Sequence, residues 1–354
     1  MVTKRIIGIT LILILFGSGC RLTYLLHAAA GQFHVLRGSI PVEEALHSDY
    51  LRPEQKGLLR LVAKIKEFGE NELGLKKTQN YQEIYLTSHR YHIYSVSASP
   101  KDRLSRMTWW FPVVGKMPYL GFFDLESARE EKENLVKKNL DVTMGIADAY
   151  STLGWFRDPV TMNMIQRSPV YLAETILHEI THATFYLQGQ SEFNEGLAVL
   201  VGKRGALHFL ETTYGSSHPL TMQARKAVED ERIFSSFLAS LLDELERLYD
   251  SPIGYEEKLS QREEVFSRSL EEFARLKNRL QTKRFINFDN VELNNAYLLS
   301  IGLYHRNFHL FEAVLNETGD SIRETLTFFQ GLAKEEGDLL ENTRKWLGRQ
   351  KSVN

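Results

Sequence analysis

The chain contains very little cysteine and no surplus of either charge. Of its 354 residues only Cys20 is a cysteine, which excludes an internal disulfide and any CxxC metal site. It carries 43 Lys and Arg against 45 Asp and Glu, so its formal net charge is −2. Proteins that bind nucleic acid through its phosphates need a basic surface, and this composition offers no global basic field. With 43% hydrophobic and 25% charged residues, we expect a globular protein that has no nucleic-acid partner.

The N-terminus lacks an apolar run long enough to cross a membrane. Ile6–Phe16 is uncharged and mostly apolar, but its eleven residues are too few for a spanning helix, which needs about 20. It follows Lys4 and Arg5 and has the length of the hydrophobic region of a signal peptide. We therefore predict that residues 1–19 are a signal peptide.

The only cysteine directly follows this run and three small residues, Gly17–Gly19. The arrangement resembles the lipobox of bacterial lipoproteins, in which the signal is cut before the cysteine and the thiol is acylated. Gly17 stands where a lipobox usually has an aliphatic residue, so an ordinary secretory signal with a chance cysteine is the alternative. One acyl chain binds a membrane only marginally, whereas several chains on Cys20 would give a stable anchor. The resemblance implies a bacterial envelope protein, lipid-anchored and either facing the periplasm or in the outer membrane.

The first part of the mature chain predicts helices followed by a small β-sheet. Apolar residues recur at helical spacing between residues 21 and 75, and Pro53 suits the first turn of a helix. Residues 81–125 are rich in β-branched and aromatic side chains and suggest short strands, and Asp141–Ile146 suggests another. A charged helix, Ser127–Asn139, is predicted between them.

The second part of the chain is predicted to be helical from Val170 almost to its end. Two amphipathic segments, residues 221–249 and 255–281, flank the break Asp250–Gly254, which predicts an antiparallel helical hairpin. No change of composition marks a domain boundary. We therefore expect one α+β domain over residues 20–354, mostly α-helical, with a small sheet and a helical C-terminal extension.

The segment from His178 to His182 reads HEITH, an HExxH motif. On a helix the two histidines share a face, with about 5–6 Å between their Cβ atoms, so both imidazoles can reach one metal ion. Glu179 lies beside them, where it can take a proton from a water molecule that zinc activates. The alternative is a helix whose histidines are merely hydrogen-bonded. A buried apolar stripe on the same helix is predicted from Leu172, Ile176, Leu177 and Ile180.

Glu195 is the predicted third metal ligand, because a catalytic zinc site usually has three protein ligands. It lies thirteen positions after His182, in a segment that we expect to form a second helix returning along the first. Glu192 is the rival candidate. It lies one helical turn earlier and would be closer to the turn than to the metal.

The length of the connection between the two helices determines where Glu195 lies along the helix axis relative to the two histidines. We expect the first helix to run to about Leu187, roughly 7–8 Å past the second histidine at about 1.5 Å per residue. Gly189 can adopt the left-handed conformation that ends a helix, and Ser191 is a favourable N-cap. Four residues into the second helix, Glu195 would have returned about 6 Å to the level of the histidines.

The motif and the later glutamate together resemble gluzincin metallopeptidases, which carry HExxH on one helix and a glutamate in an Asn-Glu-x-x-Ala context on the next. That context is present in Asn194–Ala198. Many gluzincins have an acidic residue four positions after the ligand glutamate, where it orients a histidine, but this chain has Val199. Because such contacts influence metal affinity, Glu174, one turn before His178, is considered as a substitute.

Further stretches make the chain similar to a bacterial family of predicted aminopeptidases, which are typically lipoproteins. The resemblance covers most of the mature chain and implies a zincin-like metallopeptidase core with one zinc ion held by His178, His182 and Glu195. It also implies peptide hydrolysis and suggests aminopeptidase action, without naming a substrate. The matching stretches are Thr108–Val113, Pro118–Phe123, Ala149–Pro159, the block from HExxH to Glu195, and Leu293–Ala296.

Other segments are candidates for the walls of a substrate cleft. In zincins an edge strand upstream of the metal-binding helix commonly pairs with the extended substrate, and Asp141–Tyr150 is the candidate strand here. The loop Gly154–Pro159 would form part of the cleft wall, although Trp155 and Phe156 suit core packing equally well.

Stabilisation of the transition state needs a donor aimed at the developing oxyanion, and Tyr304 is one candidate. Asn294 and Asn295, a few positions earlier, could equally cap or brace helices. The mature sequence contains no GxSxG nucleophile elbow and no P-loop, and acylation of Cys20 would remove its one thiol.

The sequence therefore favours a lipid-anchored zinc metallopeptidase that acts on a peptide or protein substrate. His178, His182 and Glu195 would bind one Zn²⁺, while Glu179 would deprotonate the attacking water and pass the proton to the leaving amine. Two alternatives stay open: a non-enzymatic envelope lipoprotein with a structural zinc site, and a metal-free peptide-binding module. A structural site would need four protein ligands, and a metal-free module would keep the predicted ligands apart.

Overall fold

The computed structural model describes residues 19–87, 93–111, 115–147 and 157–351. The backbone of Cys20 lies at the start of the first described helix. The predicted signal segment, including Ile6–Phe16, lies outside the described residues. So do Tyr150, Trp155 and Phe156, and with them the end of the predicted substrate-binding strand and the first half of the predicted cleft-wall loop.

The N-terminal region of the described chain is mostly helical, as predicted for residues 21–75, but it also contains the short strand Ser39–Pro41, which was not predicted. It contains α1 (Gly19–Arg37), α2 (Val42–His47) and α3 (Pro53–Asn71). Pro53 is the first residue of α3, where the missing N–H of proline costs no hydrogen bond. Gly74 follows α3 with a φ of +76°, a left-handed conformation that glycine adopts without steric strain.

The described strands are short and belong to small, separate sheets. They are β1 (Ser39–Pro41), β2 (Glu83–Tyr85), β3 (Ile93–Ser99), β4 (Trp109–Phe111), β5 (Gly115–Met117), β6 (Leu120–Phe122), β7 (Asp141–Ala147) and β8 (Val160–Thr161). One sheet has the order β1-β2-β8, a second has the order β6-β3-β7, and β4 pairs with β5. The short strands predicted in residues 81–125 and the strand predicted at Asp141–Ile146 are therefore confirmed.

Helix α4 (Leu125–Val136) covers one face of the β6-β3-β7 sheet. It starts two residues before the predicted Ser127, because the carboxylate of Asp124 caps it by accepting the Ser127 N–H at 2.7 Å. The apolar side chains shared by helix and sheet include Val96, Leu120, Ala128, Leu135 and Val142. The other face of this sheet is thereby free to border a cavity.

From residue 169 the described chain is almost entirely helical, which confirms the pattern predicted from Val170. The helices are α5 (Pro169–Thr184), α6 (Ser191–Tyr214), α7 (Pro219–Asp250), α8 (Tyr255–Leu276), α9 (Asn295–His305), α10 (Phe308–Glu317), α11 (Ile322–Leu332) and α12 (Leu339–Lys351). The fold is thus α+β and mostly α-helical, as expected.

Helices α7 and α8 form the predicted antiparallel hairpin around Asp250–Gly254. Their ends meet at the break, where Lys258 bonds the carbonyl of Tyr249. Further from the break, the rings of Phe237 and Phe273 lie 5.2 Å apart. Residues that lie further from the break on one helix therefore face residues that lie further from it on the other, as in any antiparallel helix pair.

Helices α5 and α6 pack closely and carry the candidate site. A Cβ atom on Gly202 of α6 would lie 2.7 Å from the carbonyl oxygen of Glu174 on α5, so glycine permits the close approach. The predicted buried stripe of α5 is confirmed, since Leu172, Ile176, Leu177 and Ile180 are each 0% exposed. The opposite side of α5 borders a cavity of about 600 Å³, which also touches the free face of the β6-β3-β7 sheet.

Candidate metal centre

Helix α5 brings the two histidines of HExxH to the cavity. It starts at Pro169, and the hydroxyl of Ser168 caps it by accepting the N–H of Tyr171. Its apolar side is buried in the main core, which turns the side with His178 and His182 toward the cavity. The Nε2 atoms of these two residues lie 3.2 Å apart, close enough for one ion to bind both.

Glu195 on α6 completes the cluster that the sequence predicted. Its Oε2 atom lies 3.2 Å from Nε2 of His178 and 3.4 Å from Nε2 of His182. Tetrahedral zinc with bonds of about 2.0–2.1 Å places its ligand atoms about 3.3–3.4 Å apart. The three donor atoms therefore already have the mutual spacing that a tetrahedral ion requires, and they form a group able to hold a metal.

Unsatisfied polar atoms support the same interpretation. Oε2 of Glu195 is buried and makes no hydrogen bond with any described residue, although it is surrounded by the two ring nitrogens. A buried carboxylate oxygen without a hydrogen bond is costly unless another group, such as a cation, satisfies it. The donor set of two imidazoles and one carboxylate thus fits a divalent metal ion.

The turn that delivers Glu195 differs from the prediction. Helix α5 ends at Thr184 and not near Leu187, because the side chain of Asn194 bonds both backbone groups of Leu187. The N–H of Leu187 donates to Oδ1 at 2.9 Å, and Nδ2 donates to its carbonyl at 2.8 Å. Gly189 does adopt the predicted left-handed conformation, with a φ of +80°. We did not predict from the sequence that Asn194 would hold Leu187. The available signal for this structural function was the spacing between the two residues.

Ser191 is the first residue of α6 and not its N-cap, so that prediction was wrong. Gln190 precedes the helix without a side-chain cap and instead accepts the N–H of Leu339 at 2.8 Å. Glu192, the rival ligand, points elsewhere and forms an ion pair with Arg106. Arg106 also donates to the carbonyl of Leu299 at 3.0 Å and so links the start of α6 to α9.

The neighbouring charges shift the pKa values of the ionisable side chains at the candidate metal site. Burial alone would raise the pKa of Glu195, but His182 and His178 outweigh it and hold the pKa of this carboxyl well below its usual range. Burial would lower the pKa of His182, yet the charges of Glu195 and Glu179 raise it. Burial raises the pKa of Glu179 despite the neighbouring histidines. Glu195 is therefore suited to remain an anionic ligand, and Glu179 to exchange a proton.

No acidic residue orients a metal-site histidine in the part of the chain that the structure describes. Nδ1 of His182 is buried and has no hydrogen-bond partner there, and Val199 is buried at the position where many gluzincins have an acid. Glu174, the considered substitute, is instead paired with Arg284 and lies 3.8 Å from Nζ of Lys203. The expectation that Glu174 orients a histidine is thus not met by any described hydrogen bond.

Tyr304 lies against the cluster. Its ring is stacked on that of His178, with centroids 6.2 Å apart and an interplanar angle of 27°. The negative charge of Glu195, together with burial, holds the pKa of Tyr304 well above its usual value. The hydroxyl therefore stays protonated and can donate a hydrogen bond into the cavity.

A second tyrosine at the site was missed. Tyr119, in the connection between β5 and β6, lines the cavity with the candidate metal ligands. Burial and the charges of Glu195 and Glu179 raise its pKa. The sequence offered only the aromatic cluster around residue 121 as a signal, without any indication of which ring faces the metal.

Asn294 and Asn295 are structural in the described contacts. The side chain of Asn294 caps α9 by accepting the N–H of Tyr297 at 2.9 Å. Asn295 is fully buried, accepts a hydrogen bond from the hydroxyl of Tyr249, and donates to the carbonyls of Pro100 and Lys101. The capping and bracing interpretation of these residues is therefore the one that the contacts support.

The predicted substrate-binding strand borders the cavity. Among the described strands, β7 pairs with β3 and lies at the edge of its sheet. Gly145 and Ile146 of β7 line the cavity, and Ile146 is 60% exposed. Opposite Gly145, Ser95 faces the same side, so small residues form this part of the wall.

Comparison with known proteins gives one family. A family model described as "Putative aminopeptidase" matches residues 23–345 of the chain. No curated protein and no solved structure matches the chain.

Proposed function

The chain belongs to this aminopeptidase family, and from that membership we propose that it is a zinc-dependent peptidase, in particular an aminopeptidase of the gluzincin type. The observation that carries the proposal is the convergence of His178, His182 and Glu195 at ligand-to-ligand distances of 3.2–3.4 Å. The α5–α6 pair with its adjoining sheet would then be a zincin-like core, within a single domain over residues 20–354.

The donor set favours zinc over other common ions. Two imidazole nitrogens and one carboxylate oxygen match the ligands of known catalytic zinc sites, whereas calcium and magnesium prefer oxygen ligands alone. Zinc would supply a Lewis acid for the peptide carbonyl and lower the pKa of a water molecule. The group of candidate ligands in the described chain has three members, which leaves room for a water molecule or substrate in the fourth position.

Glu179 is the proposed general base. It follows the first histidine on α5, lines the cavity, and has a pKa raised by burial. Such a carboxylate can take a proton from the attacking water and return it to the leaving amine. Its neighbours in the cluster are occupied as ligands, so Glu179 is the carboxylate left for proton transfer.

Tyr304 is the proposed hydrogen-bond donor to the developing oxyanion. Its ring is fixed against His178, and its raised pKa keeps the hydroxyl proton in place. A preorganised donor of this kind gains strength in a cavity with little water. The edge of β7, with Gly145 beside the cavity, is the proposed docking edge for the backbone of an extended peptide.

The location in the cell envelope is likewise a proposal. It depends on the signal-like N-terminus and on acylation of Cys20, which would attach the protein to a membrane. None of the described helices is both long and apolar enough to cross a bilayer. Peptide or protein substrates of the envelope would then be the molecules that reach the cavity.

Replacement of the general base tests the function. We expect Glu179→Gln to bind one zinc ion per chain, as the wild type does, and to lose at least about 10³-fold in kcat on a peptide library. Glu192→Gln is the matched control, because Glu192 is paired with Arg106 outside the ligand cluster. Full hydrolysis by Glu179→Gln would refute the mechanism, and inactivity of the zinc-loaded wild type on every peptide would favour a non-enzymatic protein.

A further inference from the structure

The cavity reaches a second group of ionisable side chains beyond the metal ligands. This charged cluster consists of Glu174 on α5, Lys203 on α6, Glu231 on α7, Arg284 in the segment between α8 and α9, and His305 on α9. All of them except Glu231 line the same cavity as the metal ligands. The proposed peptidase mechanism makes no use of the cluster.

The negative and positive charges within the charged cluster balance one another. Nζ of Lys203 lies 3.1 Å from Glu231 and 3.8 Å from Glu174. Arg284 is bonded to Glu174, and Nδ1 of His305 is paired with Glu231. The two carboxylates thus offset the two permanent cations, which is how charges are tolerated in a protein interior.

The most exposed side chains of the charged cluster are two of its bases and not its acids. The side chains of Glu231 and Glu174 are 0% and 8% exposed, and that of Lys203 is 4% exposed. Arg284 and His305 are 33% and 18% exposed. A molecule that enters this end of the cavity can therefore reach the guanidinium and the imidazole more easily than the two carboxylates.

Arg284 has spare hydrogen-bond donors. Its guanidinium carries five N–H groups, and the described hydrogen bond to Glu174 uses Nη1. The segment that holds Arg284 is fixed, because the carboxylate of Asp230 accepts the N–H groups of Gln281 and Thr282, both at 2.7 Å. One residue further on, the ring of Phe285 stacks on Phe234 at 4.0 Å.

The carboxylate of Glu231 can only accept a hydrogen bond, so Nδ1 of His305 carries the proton between them. With its one proton on Nδ1, the neutral ring has an acceptor at Nε2, so a carboxylate can bond this atom only when it also carries a proton. The cavity end thus offers a preorganised fork from Arg284 beside an oriented imidazole. Planar forks of this kind match carboxylates, to which they can bond in a bidentate manner.

We propose that Arg284, beside His305, forms a subsite for a carboxylate group of the peptide substrate. Glu174 lies four residues before His178, which is about 6 Å along the helix, or about two residues of an extended peptide. The carboxylate is therefore an acidic side chain or the C-terminus within about two residues of the bond that is cut. The inference rests on the proposed peptidase function and specifies its substrate class.

An α-ammonium group is a poorer occupant of this end. Glu174 and Glu231 are the carboxylates that would have to receive it, and both are already bonded to cations and almost inaccessible. A purely structural function of the cluster is the competing explanation, since its members join α5, α6, α7 and α9. The two explanations differ in whether a substitution changes selectivity between substrates or changes all rates alike.

Matched peptides distinguish these cases. We would use alanine peptides of two to six residues with Glu, Gln or Leu at each position in turn, and with either a free or an amidated C-terminus. Charge-assisted hydrogen bonds predict that kcat/KM for one carboxylate position exceeds that of its amide counterpart by about tenfold. Arg284→Gln should reduce this preference to about twofold or less, while Lys283→Gln, an adjacent exposed cation, should leave it unchanged.

A binding measurement makes the test independent of turnover. Calorimetry with the zinc-loaded Glu179→Gln protein should show the same carboxylate preference in Kd, and the same loss when Arg284→Gln is added. If Arg284→Gln fails to fold, Arg284→Lys keeps the charge without the fork and should lower the preference at least about threefold.

The peptide series also identifies the source of the carboxylate. Preference for an internal Glu assigns a side chain, and preference for the free over the amidated terminus assigns the α-carboxylate. Absence of any carboxylate preference in both measurements, or a preference that Arg284→Gln leaves intact, would overturn the subsite. If no peptide is cleaved, the proposed function fails, and the binding measurement alone decides on the subsite.

Discussion

Lys203→Met is expected to destabilise the protein strongly, because it leaves buried carboxylates without their shared cation. Nζ of Lys203 lies 3.1 Å from Glu231 and 3.8 Å from Glu174, and the lysine side chain is only 4% exposed. Removal of one partner of a buried ion pair typically costs about 3–5 kcal/mol. At roughly 2–3 °C per kcal/mol for a chain of this size, Tm should fall by about 6–15 °C.

The assay is thermal and urea unfolding of the zinc-loaded protein, with two companion variants. Lys226→Met removes an exposed lysine from α7 and should change the free energy of unfolding by less than about 0.5 kcal/mol. Lys203→Met combined with Glu231→Gln removes both charges and should recover a substantial part of the loss, because residue 231 then no longer carries a buried charge that has lost one of its partners. A single substitution that costs under about 1 kcal/mol, or a double variant whose loss equals the sum of the two single losses, would refute the reasoning.

Three further predictions concern the site and its surroundings. Tyr304→Phe should lower kcat by about 10²–10³-fold with little change in zinc content, as measured by steady-state kinetics, and an unchanged kcat would exclude Tyr304 as the oxyanion donor. The pKa of Glu231 is lowered to about 2, chiefly because His305 and Lys203 outweigh the effect of burial. Its ionised form therefore contributes stability above its ordinary pKa, and this contribution is lost as the pH falls toward 2. The stability gap between wild type and Glu231→Gln should thus narrow by about 3 kcal/mol between pH 5 and pH 2 in urea titrations, and a constant gap would contradict the assignment. Removal of zinc by a chelator should lower Tm, since an ion present at about 1,000 times its Kd stabilises by about 4 kcal/mol, and equal Tm values would argue against specific binding.

Helix α5, which carries two of the three candidate metal ligands, could be predicted from the sequence because the pattern that predicts it is local. One helical period accounts both for the spacing of His178 and His182 and for the apolar positions of α5. In the structure the histidines face the cavity and the apolar side chains are buried. Glu195 was predicted correctly as the residue that approaches them, but through an incorrect turn. The amide of Asn194, which bonds Leu187, brings the chain back after a shorter α5.

The charged cluster could not be predicted, because its members are far apart in the chain. Glu174 and Arg284 are separated by 110 positions, and Glu231 and His305 by 74. Each of them alone has the pattern of an ordinary surface charge, and only the tertiary fold brings them together. Tyr119 was missed for the same reason, since its approach to Glu195 depends on how the β5–β6 connection crosses the cavity.

The central claim is that His178, His182 and Glu195 form one metal centre. The zinc content of the purified protein tests this claim most directly. Purified protein equilibrated with zinc and then freed of unbound metal is analysed by elemental mass spectrometry. Wild type and Glu192→Gln, whose carboxylate is paired with Arg106, should each retain one zinc ion per chain. His182→Ala and Glu195→Gln should each retain less than about a tenth of that amount under the same conditions. Full zinc content in either of these two variants, or its loss in Glu192→Gln, would contradict the account.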